Sequence, residues 1–479
     1  MNSNQGVNQK ATKYRWTITT LLFVALTVNY LDRQVLSLTW TDFIAPEFHW
    51  TNNDYGTITG IFSLVYAIAY IFAGKVVDWL DTKKGFSIAI LIWSVGAILH
   101  AFAGIATSGV LTGHWLVGFE SAKEYIGTVE DVSKVVNISV IFFIFGRIVL
   151  AIGESGNFPA SIKAVAEYFP KKDRAFATSI FNAGAAVGAL IAPISIPFIA
   201  QAFGWESTFI LIGGLGFIWL FFWHRMYKKP ENNPKVNQAE LDYINQDEIS
   251  DRQEGQGRVV SYGKAFRYKQ TWAFAVGKFL TDGVWWFYLF WAPAYLESVY
   301  GLRTTEAAPY LFVLYLITFL SILGGYLPTY FVEKKNMDPY AGRMKSMLIF
   351  AFFPLLALLA QPMGEATIWF PVLIIGIAAA AHQAWSANIF TTVSDMFPKK
   401  AVATITGIGG MAGGVGGFFI NKGSGMLFDY SAQSGMSFMG FTGINAGYFI
   451  IFIFCALAYL IAWTIMKILV PRYNVIRDL

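Results

Sequence analysis

SVIFFIFGRIVLAIGESGNFPASIKAVAEYFPKK, residues 139–172, reads as one apolar helix that carries Arg147 and Glu154 in its middle and ends at Pro170 in a basic run. A spacing of seven residues is nearly two helical turns, so both charges face the same way. An ionised side chain at the centre of a membrane span is costly, and is kept where it lines a polar cavity or meets a partner. Arg147 and Glu154 are therefore functional candidates. The bland alternative is a structural ion pair that knits two helices together.

The whole chain shares this apolar character: 479 residues, 55% hydrophobic, 17% aromatic and 14% charged, with a mean hydropathy of +0.49. That is too apolar for a soluble globular protein. Windows of about 20 apolar residues predict twelve spans, near 16–36, 57–77, 86–105, 138–162, 173–199, 207–226, 271–296, 308–331, 346–362, 368–394, 402–428 and 444–470. The expected fold class is an all-α polytopic membrane protein with twelve transmembrane helices. The first segment runs from a polar start into Asn29, Tyr30, Asp32 and Arg33 without a small-residue cleavage site, so it reads as an uncleaved span. A lone cysteine, Cys455, offers neither a disulfide framework nor a cysteine metal site.

The net charge of +5 implies no nucleic-acid partner, because Lys and Arg follow the positive-inside pattern. Lys10, Lys13 and Arg15 precede span one, Lys171, Lys172 and Arg174 follow span four, and Lys334, Lys335, Arg343 and Lys345 follow span eight; the loops at 37–56 and 200–207 carry none. Both termini and the long middle loop are placed in the cytoplasm, in a cell (inner) membrane.

The middle loop, 227–270, is the one extended polar stretch, and it separates an N-terminal six-span unit (1–226) from a C-terminal one (271–479). Within it, Asn237 followed by Glu240 has the shape of a helix cap with its reciprocal acid, predicting a short surface helix over 238–249. The two units are related by a repeat. EYFPKKDRAFATSIFNAGAAVG starts at Glu167 and DMFPKKAVATITGIGGMAGGVG at Asp395, each after the fourth span of its half. Two six-span halves of like orientation suit a protein that rocks about a central site. Small-residue helices follow in both halves, and tight packing and sliding read alike from their glycines. The long 106–137 loop is expected to hold a short amphipathic helix over the outer mouth.

Span one contains NYLDRQ. Neighbouring residues on a helix point about 100° apart, so Asp32 and Arg33 seek partners on other helices. The economical arrangement sets Asp32 near Arg147, with Arg33 and Glu154 around the same cavity. A planar guanidinium matches a carboxylate at two points, and a desolvated acid can load a proton. The residues thus predict proton-coupled uptake of an organic anion, with Arg33, Arg147 and Tyr30 binding the solute and Asp32 and Glu154 carrying the proton. Span seven adds Lys278, Thr281, Trp285 and Tyr288, a surface suited to a sugar-like body, although Lys278 and Asp282 at spacing four can simply pair. Span ten adds His382, Gln383, Ser386 and Asn388. No phosphate loop, HExxH, GxSxG or Cys/His metal spacing occurs, so neither a pump nor an enzyme is supported, and no cofactor or metal is expected.

NYLDRQVLS at 29–37, GRIVLAIGESGNFPASIKAVAEYFPKK at 146–172, KFLTDGVWWFYLFWAPAYL at 278–296 and HQAWSANIFTTVSDMFPKKAVATITGIGGMAGGVGG at 382–417 resemble the major facilitator superfamily, and within it the anion:cation symporters of hexuronates. The resemblance implies two six-helix bundles, alternating access and proton-driven import of glucuronate or galacturonate by a monomer. It also assigns anion binding and coupling to Asp32, Arg33, Arg147 and Glu154. The other readings are a symporter of a hexonate or glucarate and a non-transporting membrane sensor. The family's gate motif between helices two and three is partly present: Gly74, Asp78, Lys83 and Lys84 match, but Trp79 stands where arginine is usual and Asp81 where glycine is usual.

Overall fold

The computed structural model describes residues 10–247 and 260–476. Eleven helical stretches among them are long and apolar enough to cross a membrane. The expected span seven is a continuous helix, Lys269–Tyr300, whose lysines, acids and aromatic polar groups make it less apolar than the others. Together they form the all-α, two-bundle architecture. The chain surface is studded with large apolar side chains such as Phe72, Phe221 and Ile468, which suits contact with lipid rather than water.

Local chemistry sets the ends of the spans. Span one is Arg15–Val35. Span two, Asn52–Leu80, starts with a capping box in which Thr51 and Asp54 satisfy each other's backbone N–H groups. Span three is Thr82–Ala101, and span six is Trp205–Met226. The repeated Phe-Pro-Lys-Lys does the same job in both halves. Pro170 and Pro398 are the extended N-caps of span five, Lys171–Phe203, and span eleven, Lys399–Ser434, because proline cannot continue the preceding helix. The acids three residues before those prolines also correspond: Glu167 accepts from Thr82 at 2.5 Å, and Asp395 pairs with Arg343 at 2.5 Å, each tying its span to the third span of its half.

Span four departs from the single helix expected. It runs Val132–Ser155, breaks at Gly156 and resumes as Asn157–Tyr168. The break accompanies close approach to span three: a Cβ on Gly153 would sit 2.3 Å from the Trp93 amide nitrogen, and one on Gly156 2.8 Å from the Ala89 methyl. The loop before it holds the expected short helix, Phe119–Gly127. Lys123 of that helix bridges Glu206 at 3.2 Å and Glu47 at 3.9 Å. Burial alone would lower the Lys123 ammonium, but the two carboxylates outweigh it and hold it above its ordinary value.

The middle-loop helix spans Gln238–Ile244, with a 3₁₀ turn to Asp247; residues 248 and 249 lie outside the described residues. Asn237 caps it as expected, accepting from the Glu240 amide at 3.0 Å. Glu240 does not return the bond. Its carboxylate, fully buried, accepts from the amides of Tyr14 (2.9 Å) and Arg15 (3.1 Å) and from the Arg15 guanidinium (3.1 Å). An acid placed on the first turn of span one is favoured by the exposed N–H groups and the helix dipole there, so the loop is latched to the first half. The C-terminal segment packs on the same face, where Ile476 donates to the Met396 carbonyl at 2.9 Å. We call this the terminal face.

The two halves are joined on the opposite, far face. Asp429 of span eleven accepts from the Asn52 amide (3.0 Å), the Asn52 side chain (2.9 Å) and the Asn53 amide (2.8 Å), capping span two from the other half. Asp42 likewise accepts from the amide and hydroxyl of Thr304, both at 2.7 Å, at the start of span eight, Thr304–Lys335. Between these caps, Trp40 stacks on Tyr55 at 4.2 Å, and the Tyr55 hydroxyl donates to the Phe290 carbonyl at 2.8 Å.

Candidate functional site

Beneath this closed layer, towards the terminal face, lies a cavity of about 320 Å³ between the halves. Spans one, two, four and five line it from the first half, and spans seven, ten and eleven from the second. The cavity reaches into span eleven because Gly410 and Gly414 carry no side chains; a Cβ on Gly410 would meet the Tyr70 ring at 2.9 Å.

Arg33 and Glu154 meet in this cavity. The Arg33 guanidinium donates to Glu154 Oε2 from Nε at 2.9 Å and from Nη2 at 2.6 Å, and the two side chains are 5% and 0% exposed. Arg33 is therefore buried between the helices, paired with another span. The guanidinium is caged by the rings of Tyr30, Phe62, Tyr66 and Trp286, all within 5.7 Å. Glu154 Oε1 has no hydrogen-bond partner among the described residues.

Arg147 and Asp32 lie deeper, outside the cavity lining. Arg147 is 1% exposed, lies 5.3 Å from the Phe62 ring, and none of its three guanidinium nitrogens has a hydrogen-bond partner among the described residues. Neither Asp32 oxygen has a hydrogen-bond partner of full geometry among the described residues, although Asp32 interacts with Glu154, Arg147 and the Trp93 indole. Buried polar groups are normally paired. Here the Arg147 guanidinium, the Asp32 carboxyl and one oxygen of Glu154 carry unspent hydrogen-bonding capacity around one site.

Tyr30, Lys278, Trp285, His382, Gln383 and Ser386 all line the cavity. Lys278 pairs with Asp282 at 2.7 Å. His382 stacks on Trp285 at 5.5 Å with its Nδ1 bonded to the Tyr459 hydroxyl at 2.8 Å. Two of the span-seven candidates lie elsewhere. Thr281 spends its hydroxyl on the Gly277 carbonyl at 2.8 Å, and Tyr288 is packed inside the second half against Phe287, so of the face drawn through Thr281, Trp285 and Tyr288 only Trp285 reaches the cavity. Asn388 is also structural, donating to the Gly324 carbonyl at 3.0 Å and the Ala384 carbonyl at 2.8 Å.

The cavity contains groups that sequence reasoning did not single out: Tyr66, Tyr70, Asn157 and Asn182. The side-chain amide nitrogens of Asn29 and Asn157 face it without partners among the described residues. Asn157 follows the Gly156 break directly, a break that only the structure shows.

Gly74, Asp78, Lys83 and Lys84 sit far from the cavity, at the turn between spans two and three. Asp78 pairs with Lys163 at 3.0 Å and Lys83 donates to the His224 carbonyl at 2.9 Å, both within the first half. Asp81, at the position where glycine is usual, has φ of 70° and accepts from the Thr82 amide at 2.8 Å. Its side chain offsets a backbone conformation that favours glycine by capping the next helix.

The chain resembles proteins of known kind over nearly its full length. It is 27% identical to the hexuronate transporter of Escherichia coli K12 over 95% of this chain and 94% of that one. It is 24% identical to a probable galactarate/D-glucarate transporter of Bacillus subtilis over 91% and 90%. A bacterial homologue of the human lysosomal transporter Spinster, solved inward-facing, superposes with a TM-score of 0.65 at 19% identity, covering 95% of this chain and 97% of that one. The D-xylose-proton symporter superposes with a TM-score of 0.62 at 16% identity, over 97% and 100%. The family model described as Major Facilitator Superfamily matches residues 22–420, and the protein belongs to that superfamily of transporters.

Proposed function

We propose that the protein is a proton-coupled secondary active transporter that imports a sugar-acid anion, a hexuronate such as glucuronate or galacturonate, by alternating access. The observation that carries this reading is the Arg33–Glu154 pair in a closed-ended cavity, with the unbonded Arg147 behind it. When Glu154 takes a proton, Arg33 loses its carboxylate and its fork is free for the carboxylate of the solute. One carboxylate replaces another, so the balance between Arg33, Arg147, Asp32 and Glu154 is kept and neither charge is left bare in a poorly hydrated site. Asp32 relays the proton, and Arg147 holds the anion when the far face opens.

The rest of the lining suits the hydroxylated body of a sugar acid. Tyr30 and Trp285 offer flat faces, Lys278 supplies a second cation, and His382, Gln383 and Ser386 stand with the amides of Asn29 and Asn157 to bond hydroxyls. The identities to hexuronate and galacturonate transporters, 27% in each case, support the same substrate class. The protein is placed in the cell (inner) membrane as a monomer, with the terminal face in the cytoplasm, where the lysine- and arginine-rich loops gather. The 1–226 and 271–479 units then move as two bodies, with the far face, closed by Asp429 and Asp42, turned to the outside.

Uptake of labelled glucuronate into proteoliposomes under an inward proton gradient, competed by galacturonate, glucarate, gluconate and glucose, tests this reading. Uptake blocked by uronates and not by glucose is expected. Stronger competition by glucarate would move the substrate to the aldarates, which the Bacillus relative's name describes. Absence of uptake of every sugar acid would refute the reading.

A further inference from the structure

We propose that Asp282 is a second proton-exchanging carboxylate, so that the second half carries its own proton-gated anchor in Lys278. This rests on the transport reading above and adds one proton to it.

Asp282 and Lys278 repeat, on the opposite wall, the logic of Glu154 and Arg33. Both line the cavity, and the Lys278 ammonium meets Asp282 Oδ2 at 2.7 Å, with the Lys278 and Asp282 side chains 4% and 16% exposed. Asp282 Oδ1 is buried without a hydrogen-bond partner among the described residues. A pair at spacing four on a helix surface needs no cavity and no partner helix. This one has both. Span eleven leaves a notch for the carboxylate: a Cβ at Gly413 would lie 2.3 Å from Asp282 Oδ2. An ion pair held half-satisfied inside a membrane protein is expensive, and such residues mark solute or proton paths.

The groups around the pair leave it to titrate against the solute. Tyr30 of span one and Tyr459 of span twelve, Ile444–Leu469, interact with Asp282, and His382 of span ten interacts with Lys278. Tyr66 and Tyr70 of span two and the Arg33–Glu154 pair complete the charged and titratable lining. None of them is a second cation bonded to Asp282, so Lys278 alone balances it.

While Asp282 is ionised, Lys278 is spent. A proton arriving at Oδ2 breaks the N–H···O bond from Lys278, whose ammonium then donates to an oxygen of the solute. After the solute leaves, the proton departs on that side and the pair re-forms. No covalent bond changes. The cation of each half is thus released by its own proton, and a solute bridging the halves through Arg33 and Lys278 is held only when both acids are loaded.

The test is the number of protons coupled per glucuronate, from the solute gradient that just balances an imposed pH gradient in proteoliposomes. Asp282→Asn should lower it by one, which at a pH difference of one unit is about tenfold less accumulation at balance. An unchanged coupling number would overturn the proposal while leaving the transport reading intact. If wild type accumulates no sugar acid, the transport reading falls and this one with it. Should the variant not transport, proton uptake on glucuronate binding in detergent, followed with a pH indicator, must fall by one relative to wild type; equal uptake would overturn the proposal.

Discussion

Removing Asp429 should open the far face. Its carboxylate accepts three hydrogen bonds from Asn52 and Asn53 in the first turn of span two, which belongs to the other half; the Thr51–Asp54 capping box of that half serves other amides of the turn. Loss of a helix cap costs about 0.5–2 kcal/mol, and the cap survives only while the halves are together, so Asp429→Ala should weaken far-face closure by about 1–2 kcal/mol. Asp42 caps span eight across the same seam with two bonds, far enough away for the effects to add. The double variant should lose about 2–4 kcal/mol, roughly thirtyfold to a thousandfold in the closed-to-open ratio. Spin labels at Leu116 and Met439, which are 100% and 71% exposed on opposite halves, in a Cys455→Ser background, report the far-face distance. A longer population should appear in the single variant and dominate in the double. An unchanged distance distribution in the double variant would refute the idea that these caps hold the halves together.

Other consequences follow from the same geometry. Arg147→Ala should abolish glucuronate binding measured by calorimetry, and Arg147→Lys should restore it only in part, because a point charge lacks the two-point fork. Gly416→Ala should destabilise the fold by about 1–3 kcal/mol in thermal unfolding, since the added methyl would meet the Phe279 carbonyl oxygen at 2.0 Å and span eleven must back away from span seven. Lys123→Ala should cost about 1–2 kcal/mol by leaving Glu206 and Glu47 facing each other, a value reduced by the partial exposure of Lys123. Because the Lys123 ammonium is held above its ordinary value, its contribution is fully present below the pKa of a free lysine. Wild-type stability should therefore show no loss from this group between pH 8 and 9, roughly, where the Glu47 carboxyl, which burial pushes up to about 7, is ionised as well.

How much of this was legible in the sequence differs by level. Spans were readable because a membrane helix must be long and apolar, and the Phe-Pro-Lys-Lys repeat marked equivalent helix starts in both halves. The four charged residues of spans one and four stood out because charge is costly in such surroundings. Their pairing did not. Arg33 meets Glu154 while Asp32 stays unbonded, an outcome set by helix rotation and tilt rather than spacing. Span seven is buried almost all round, so no apolar stripe told which face met the cavity, and Thr281 and Tyr288 were drawn onto the wrong side. Glu240 was legible as a cap residue, but its partner lies 225 positions away at Arg15. Gly156 gave no local sign of a break, because glycine inside an apolar helix reads equally as close packing.

If the Arg33–Glu154 exchange couples proton to solute, Glu154→Gln should separate the two. Glutamine keeps the shape and an acceptor for Arg33 but can neither release nor take a proton. Gradient-driven accumulation of glucuronate and gradient-free exchange of labelled for unlabelled glucuronate are measured on the same proteoliposomes. Accumulation should collapse while exchange persists. Equal loss of both activities, or accumulation that survives, would contradict the account.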